Sequence, residues 1–271
     1  MSGPLFQLSY SAVAAFNRCR KQYWFRKLSG LPPPPPVPTV PGCLGTGVHR
    51  AMKVLCETGD PETAARALDA YLRMPAHECV GPGTPAFDDA FQLFQRGCAA
   101  HDSIASEDRW AELDTWAPWP SRGVTVTARI DRVDRFADGH YQVVDWKTGR
   151  YDYDDQTDAQ LDIGHLALRV SRRQIKHEAP VVAIGWNLRT GQQRVRRLTG
   201  GDAVGTMHYY AALAQKIQST ADFEATPGAG CTFCDWRERC AEAAEVDTAG
   251  DALFEDDGDE PFEGEVGDET A

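Results

Sequence analysis

Two short runs decide the fold of this chain: residues 130–134 (IDRVD) and residues 143–149 (VVDWKTG). The first run closes a stretch, residues 123–136, in which apolar and polar side chains alternate with the period of two that is typical of a β-strand. The sequence ADG at residues 137–139 predicts a tight turn, so that residues 140–146 return as the second strand of a hairpin.

The hairpin brings together two carboxylates and one ammonium group. Residues two apart on a strand point to the same face, so Asp145 and Lys147 are expected to project together toward Asp131. Carboxylates in such a set suit Mg²⁺ or Mn²⁺, which prefer oxygen ligands, and a metal-bound water is a strong nucleophile. A cross-strand ion pair on the surface is the ordinary alternative, because Asp-x-Lys is a common pattern.

The composition is that of a soluble globular protein with one large domain or two small ones: 271 residues, 42% of them hydrophobic and 25% charged. No apolar run is long enough to span a bilayer, which argues against a membrane partner. The first seven residues lack the basic and apolar regions of a secretion signal. We therefore expect a cytoplasmic protein of a bacterial cell or a phage-infected host.

The net charge of −12 comes from the C-terminal end of the chain. Residues 245–271 hold 12 acidic residues and no Lys or Arg, so the remaining 28 acids are balanced by all 28 bases. The body of the protein is neutral, and its charge does not exclude a DNA partner. The composition of residues 245–271 predicts a disordered acidic tail, which either recruits a protein partner or keeps the chain soluble.

The apolar periodicity outside the first hairpin predicts helices and a second hairpin. The helices are expected over residues 8–28, 47–57, 64–72, 87–103, 158–170 and 201–218. The second hairpin is expected around Thr190 and Gly191. Residues 31–38 contain five consecutive prolines and predict an extended connector, and residues 42–47 predict a turn.

Taken together, these features resemble the core of PD-(D/E)xK nucleases. More narrowly, they resemble the RecB-like exonuclease branch, which includes CRISPR-associated nucleases of the RecB type and the AddB nuclease domain. Residues 45–49 (GTGVH) resemble the upstream histidine motif of that branch, and Gln160-Leu161 resembles its glutamine motif. The N-terminal helix with Cys19 also agrees, so the resemblance runs from residue 8 to residue 240.

The resemblance implies a fold and a division of the chain. The fold is α/β (α+β), a restriction-endonuclease-like core with a mixed central sheet flanked by helices. The nuclease domain would cover residues 1–244, with a helical insertion at about residues 50–109 and a cysteine-rich segment at residues 227–240 that joins the two ends. The acidic tail would follow from residue 245.

The resemblance also assigns roles at the site. Metal ligands would be His49, Asp131, Asp145 and the backbone carbonyl of Trp146. Lys147 would be catalytic, and Gln160 would orient Lys147 or DNA. The family often has a tyrosine four residues after the glutamine. Here that position is Gly164, so the tyrosine is missing, and the neighbouring His165 is expected to replace it only if the helix is rotated.

Three cysteines near the C-terminal end predict a metal centre. Cys231, Cys234 and Cys240 are packed too closely in a cytosolic chain to favour disulfides, and Cys19 or Cys43 could supply a fourth thiolate. By ligand chemistry alone the centre is zinc or an iron–sulfur cluster. The resemblance implies a 4Fe–4S cluster on Cys19, Cys231, Cys234 and Cys240.

The function implied is a metal-dependent DNA exonuclease. It would hydrolyse phosphodiester bonds, on single-stranded ends, in recombination, repair or replication. The alternatives are a DNA-binding partner subunit of the same fold that does not cleave, a nuclease in CRISPR spacer acquisition, and a zinc-stabilised regulator. The chain has no G-x-x-x-x-G-K-[ST] motif, so any unwinding would come from another protein.

Overall fold

The computed structural model describes residues 5–150, 155–172 and 174–243. Its α-helices are α1 (Tyr10–Arg18), α2 (Arg20–Lys27), α3 (Val40–Thr58), α4 (Pro61–Leu72), α5 (Pro85–Asp102), α6 (Asp155–Ser171) and α7 (Gly200–Ser219). Its strands are β1 (Phe6–Ser9), β2 (Asp108–Trp119), β3 (Val124–Arg135), β4 (Tyr141–Lys147), β5 (Val181–Asn187) and β6 (Gln193–Leu198). Among the described residues, no helix is both long and apolar enough to cross a membrane. The predicted acidic tail lies outside the described residues.

The strands form one mixed sheet in the order β1-β3-β4-β5-β6, with β2 along the other edge of β3. Strands β1 and β4 both pair with the edge of β3 that lies opposite β2. Strand β1 is parallel to β3 and pairs with the first residues of β3. Strand β4 is antiparallel to β3 and pairs with the last four residues of β3. Strand β5 then continues beside β4 in parallel register, and β6 closes the sheet as an antiparallel partner of β5.

Helices cover both faces of this sheet and bury its side chains. Helices α3, α4 and α5 pack over Val144, Trp146 and Leu188. The opposite face packs against α6 through Val143 and Ile130, and against α1 and α7 through Val126. The predicted α/β fold with a mixed central sheet flanked by helices is therefore confirmed.

Both predicted hairpins are confirmed. Strands β3 and β4 are joined at a turn in which Gly139 has φ of +83°, and β5 and β6 are joined at a turn in which Gly191 has φ of +74°. Glycine adopts these left-handed conformations without the steric cost that a side chain would add. Residues 31–38 form neither helix nor strand, as predicted.

The predicted turn at residues 42–47 is wrong, because α3 begins at Val40 and includes it. Thr39 caps the helix by accepting a hydrogen bond from the Gly42 N–H at 3.3 Å. Gly47 then lets α3 approach α4 closely, since a Cβ there would lie 3.0 Å from the Tyr71 ring. Tertiary burial therefore outweighs the low helix propensity of the glycines.

The single helix predicted over residues 8–28 is also wrong. Residues 6–9 form β1, and Ser9 caps α1. The helix then breaks at Cys19, where the backbone is extended (φ −156°, ψ 114°) before α2 begins. Strand β2 was not predicted, and its pairing along the whole of β3 is the largest addition that the structure makes.

A buried polar network fixes β3 to α5. Arg132 and Asp134 form a bidentate ion pair with two contacts of 2.8 Å, and their side chains are 1% and 0% exposed. His101 of α5 lies between Arg132 (2.8 Å) and Arg109 (2.6 Å), one at each ring nitrogen. Burial, together with the two neighbouring guanidinium groups, lowers the pKa of His101 from the ordinary value of 6.5 to about 4.

This network predicts loss of stability in acid. Between pH 6.5 and about pH 4, His101 binds a proton in the unfolded chain but not in the folded protein. The contribution of neutral His101 to the free energy of unfolding is therefore complete above pH 6.5 and is lost as the pH falls toward 4. The pKa difference corresponds to a loss of about 3 kcal/mol in the free energy of unfolding. Urea unfolding across this pH range should show a flatter slope for His101→Gln than for wild type. The exposed His208→Gln is the control and should keep the wild-type slope.

Candidate active site

The predicted site residues lie where β1 and β4 separate along the edge of β3. The β1 register ends at Ser9 opposite Thr127, and the β4 register begins at Val144 opposite Arg132. Residues 128–131 of β3 pair with neither strand in these registers. A cavity of about 530 Å³ opens at this gap, and Asp131, Asp145 and Gln160 line it.

Asp131 links the two strands at this gap. Its Oδ2 accepts a hydrogen bond of 2.9 Å from the backbone N–H of Trp146, so a carboxylate takes the place of a backbone acceptor. The Nδ1 atom of His49, from α3, lies 3.4 Å from the same oxygen. Burial lowers the pKa of His49, but the hydrogen bond to Asp131 and its charge outweigh this effect, so the pKa is raised overall.

Asp145, Lys147 and Gln160 form a closed triangle. The Lys147 Nζ donates to Gln160 Oε1 at 2.6 Å, and the Gln160 Nε2 donates to Asp145 Oδ1 at 2.6 Å. The Lys147 Nζ also lies 2.6 Å from Asp145 Oδ2, as an ion pair outside hydrogen-bond geometry. Asp145 and Lys147 therefore share a face, as predicted from their spacing.

The surroundings of Asp145 disfavour the charged form of its carboxyl group. Its side chain is 15% exposed. Burial outweighs the opposing charge of Lys147 and, together with the neighbouring charge of Asp131, raises the pKa of Asp145 to about 6. A raised carboxylate pKa beside a second carboxylate in a cavity is typical of a functional site.

The structure therefore brings together five of the predicted site residues: His49, Asp131, Asp145, Lys147 and Gln160. Trp146 contributes no side chain, because its indole is 3% exposed and packs with the helices of the opposite face. The carboxylate oxygens of Asp131 and Asp145 are the kind of ligand that Mg²⁺ and Mn²⁺ accept. As they stand, however, no three His, Cys, Asp or Glu side chains in the described part of the chain are grouped so as to hold a metal ion.

The residues after Gln160 divide between the cavity and the core. Gly164 lies one turn later on α6 and lines the cavity. His165 is fully buried, and its Nε2 accepts a hydrogen bond of 2.5 Å from Arg169. Burial and the Arg169 charge lower the pKa of His165 to about 3. His165 is therefore a core residue and does not replace a DNA-contacting tyrosine.

Sequence reasoning missed the contribution of β2. Glu112 lies between the paired positions Ala111 and Leu113, opposite Asp131, and has the left-handed φ of +41°. Its carboxylate lies 3.4 Å from the ammonium group of Lys53, one turn after His49 on α3. Left-handed backbone at a residue other than glycine costs energy and is frequent at functional sites. The alternation of apolar and polar residues was the sequence signal for β2, and the break in this alternation at Glu112 obscured it.

The four predicted cluster cysteines line a second, small cavity of about 40 Å³: Cys19, Cys231, Cys234 and Cys240. Two of the sulfurs already accept hydrogen bonds of 3.5 Å, Cys19 from the Thr226 N–H and Cys234 from the Gln22 amide. Stacking of Phe25 on Trp236, with ring centroids 5.1 Å apart, fixes α2 against the segment that holds Cys234 and Cys240.

Cys43 does not belong to this group. It lies on α3 and is buried in the helical cluster, where burial and a hydrogen bond to Cys79 raise the pKa of its thiol. Of the two fourth ligands considered from sequence, only Cys19 therefore lies at the cysteine cavity.

Comparison with known proteins gives one family and similar solved structures. A profile of the PD-(D/E)XK nuclease superfamily matches residues 7–241. The crystal structure of a candidate exonuclease from Eubacterium rectale matches with 12% identity and a TM-score of 0.49, over 78% of this chain and 80% of the other. The crystal structure of a protein named SSO0001 matches with 14% identity and a TM-score of 0.36, over 82% and 93%. No curated protein matches the chain.

The burial of Asp145 beside Lys147 predicts that the Asp145 carboxyl titrates at an unusually high pH. In metal-free protein, the ¹³C resonance of the Asp145 carboxyl should titrate near pH 6. Lys147→Met should move the midpoint higher, because the ammonium group favours the charged carboxylate. Lys53→Met, which removes a lysine paired with Glu112 instead, is the matched control and should leave it unchanged. A midpoint near that of an ordinary aspartate would contradict the assignment.

Proposed function

Because the chain belongs to the PD-(D/E)XK nuclease superfamily, we propose that it is a metal-dependent deoxyribonuclease that hydrolyses phosphodiester bonds. The observation that carries the proposal is the meeting of Asp131 and Asp145 at one cavity, with the ammonium group of Lys147 held 2.6 Å from both Asp145 and Gln160. Two carboxylates and a fixed cation are the groups that can bind a hard metal ion and a phosphate together.

The proposed metal ligands are His49, Asp131, Asp145 and the backbone carbonyl of Trp146. Asp145 fits this role because its buried Oδ2 accepts no hydrogen bond. A bound Mg²⁺ or Mn²⁺ would lower the pKa of a water and offset the negative charge of the phosphoryl transition state. The raised pKa of Asp145 would then return toward its ordinary range.

Lys147 is the proposed catalytic residue, and Gln160 is the proposed positioning residue. The Gln160 carbonyl oxygen accepts from Lys147 while its amide donates to Asp145, so the orientation of the amide is fixed by two hydrogen bonds. This fixes the Lys147 Nζ at the carboxylates, where it can orient the attacking water or stabilise negative charge on a phosphate oxygen.

The proposed substrate is an unpaired end of DNA, which makes the enzyme an exonuclease of recombination, repair or replication in the cytoplasm. The cavity has the volume of a small-ligand site, about 530 Å³, which favours one strand over a duplex. The neutral charge of the chain before residue 245 is compatible with such a substrate. A role in CRISPR spacer acquisition would use the same chemistry.

A 4Fe–4S cluster on Cys19, Cys231, Cys234 and Cys240 is proposed as a structural clasp. The shared cavity and the hydrogen bonds to two sulfurs support it, because such bonds stabilise thiolates that ligate iron. The clasp would join the break between α1 and α2 to the C-terminal segment. Zinc is the alternative that the same four thiols allow.

A second candidate function is a DNA-binding subunit of the same fold that does not cleave. The observation that favours it is the engagement of both Asp145 oxygens by Lys147 and Gln160, which compete with a metal for that carboxylate. Binding of DNA without metal-stimulated cleavage would establish this function instead.

Cleavage should depend on Lys147. With Mg²⁺ or Mn²⁺, wild type should digest 5′- and 3′-labelled single-stranded DNA, and Lys147→Met should be slower by a factor of about 10² to 10⁴, because a positioned proton donor or charge is lost. Time-resolved gel analysis of single- and double-stranded substrates measures the rate and the polarity. Lys216→Ala, on the exposed face of α7, is the control and should cleave like wild type. Inactive wild type, or equal rates for wild type and Lys147→Met, would overturn the proposal.

The cysteine cavity should hold iron and sulfide. Anaerobically purified protein should contain about four iron and four sulfide atoms per chain, with a broad absorption band that Cys234→Ser removes. Cys98→Ser, on α5 and outside the cavity, should keep the full content. Stoichiometric zinc without sulfide would replace the cluster by a zinc site.

A further inference from the structure

The cavity at Asp131 and Asp145 extends well beyond the catalytic groups. It continues from these carboxylates along the unpaired edge of β3 to Tyr10 at the start of α1 and Trp116 on β2. Its volume of about 530 Å³ exceeds what a metal ion and one phosphate require. If one phosphate of a substrate strand lies at the carboxylates, a neighbouring phosphate or base of the same strand would therefore occupy this space.

The charges of the cavity argue against a second phosphate as its occupant. Three carboxylates line it, Asp114, Asp131 and Asp145. The guanidinium group of Arg129 also lines it, but Arg129 is paired with Asp114, with Nε 2.9 Å from Oδ1. The charge of Arg129 is therefore already compensated, and the carboxylate of Asp131 repels a second phosphate but not an uncharged aromatic ring.

The walls of the cavity suit the face of a flat aromatic ring. Ile130, Leu161 and Ile163 provide aliphatic surface. Trp116 lines the same cavity, and it is 63% exposed although it is a large aromatic residue in a sheet. An exposed indole is a stacking platform for any base, because every base has a π-face.

Gly164 keeps this space open. A Cβ at this position would meet only the Ile130 Cγ1 atom, at 3.7 Å, so no close helix or strand packing requires a glycine there. Its φ is not in the left-handed region, and a glycine within a helix weakens that helix. A longer side chain at this position would extend into the cavity.

We propose that this cavity binds one unpaired nucleobase of the substrate strand, with Trp116 as the stacking platform and Gly164 as the residue that leaves room for the base. The inference rests on the proposed function, since it takes DNA as the substrate. It adds a reason for selecting unpaired ends, because a base in a duplex is not free to enter.

The test compares a normal oligomer with one that lacks bases. Fluorescein-labelled oligothymidylate of about ten nucleotides, and an abasic oligomer of the same length, are titrated with the full chain in EDTA, and anisotropy gives both dissociation constants. Wild type should prefer the normal oligomer by roughly 5- to 100-fold, the range expected for one base stacked on an aromatic ring.

The variants assign this preference to the cavity. Trp116→Ala and Gly164→Leu should abolish the preference while leaving affinity for the abasic oligomer unchanged. Trp116→Phe, which keeps a ring, and Gly164→Ala, whose methyl group fits, should retain it. If Gly164→Leu fails to fold by circular dichroism, the comparison of Trp116→Ala with Trp116→Phe decides.

The outcomes separate this inference from the proposed function. Cleavage of oligothymidylate with Mg²⁺ is measured in parallel. Wild type that cleaves but binds both oligomers equally would overturn the base site and leave the nuclease intact, as would Trp116→Ala with an unchanged preference. Wild type that neither binds nor cleaves either oligomer would overturn both.

Discussion

The hydrogen bond from the Trp146 N–H to the Asp131 carboxylate is the interaction on which the rest of the site depends. Strand β4 leaves β3 just before this point, and a backbone donor at such a position needs another acceptor. Asp131 supplies it, which fixes the carboxylate at the strand junction. The same separation of strands opens the cavity, so the position of the two aspartates and the space beside them have one structural cause.

The site concentrates charge that burial disfavours, and a rigid frame maintains it. Burial and Asp131 raise the pKa of Asp145, while Lys147 and Gln160 hold its two oxygens. On the other side of the sheet, the Arg132–Asp134 pair anchors the residue next to Asp131 to α5 through His101. Because successive residues of a strand face opposite sides, this network fixes β3 without entering the site.

Much of the fold was predictable because its signals are local. The period-two pattern, the turn at Gly139 and the Asp-x-Lys spacing each depend on neighbouring residues, and the structure confirms the hairpin and the shared face of Asp145 and Lys147. The errors arose where distant contacts outweigh local preference. Packing of Gly47 against Tyr71 extends α3 through a predicted turn, and the extended backbone at Cys19 divides a predicted helix.

The sequence by itself determined the residue types of the site and their spacing along the hairpin, because a strand places alternate side chains on one face whatever surrounds it. Only the tertiary structure decided which distant residues join them. His49 and Gln160 reach the carboxylates through the packing of α3 and α6 on the sheet. The cavity lies where β1 and β4 separate along β3, and folding of the whole sheet brings Trp116 of β2 and Gly164 of α6 to it, which no local pattern records.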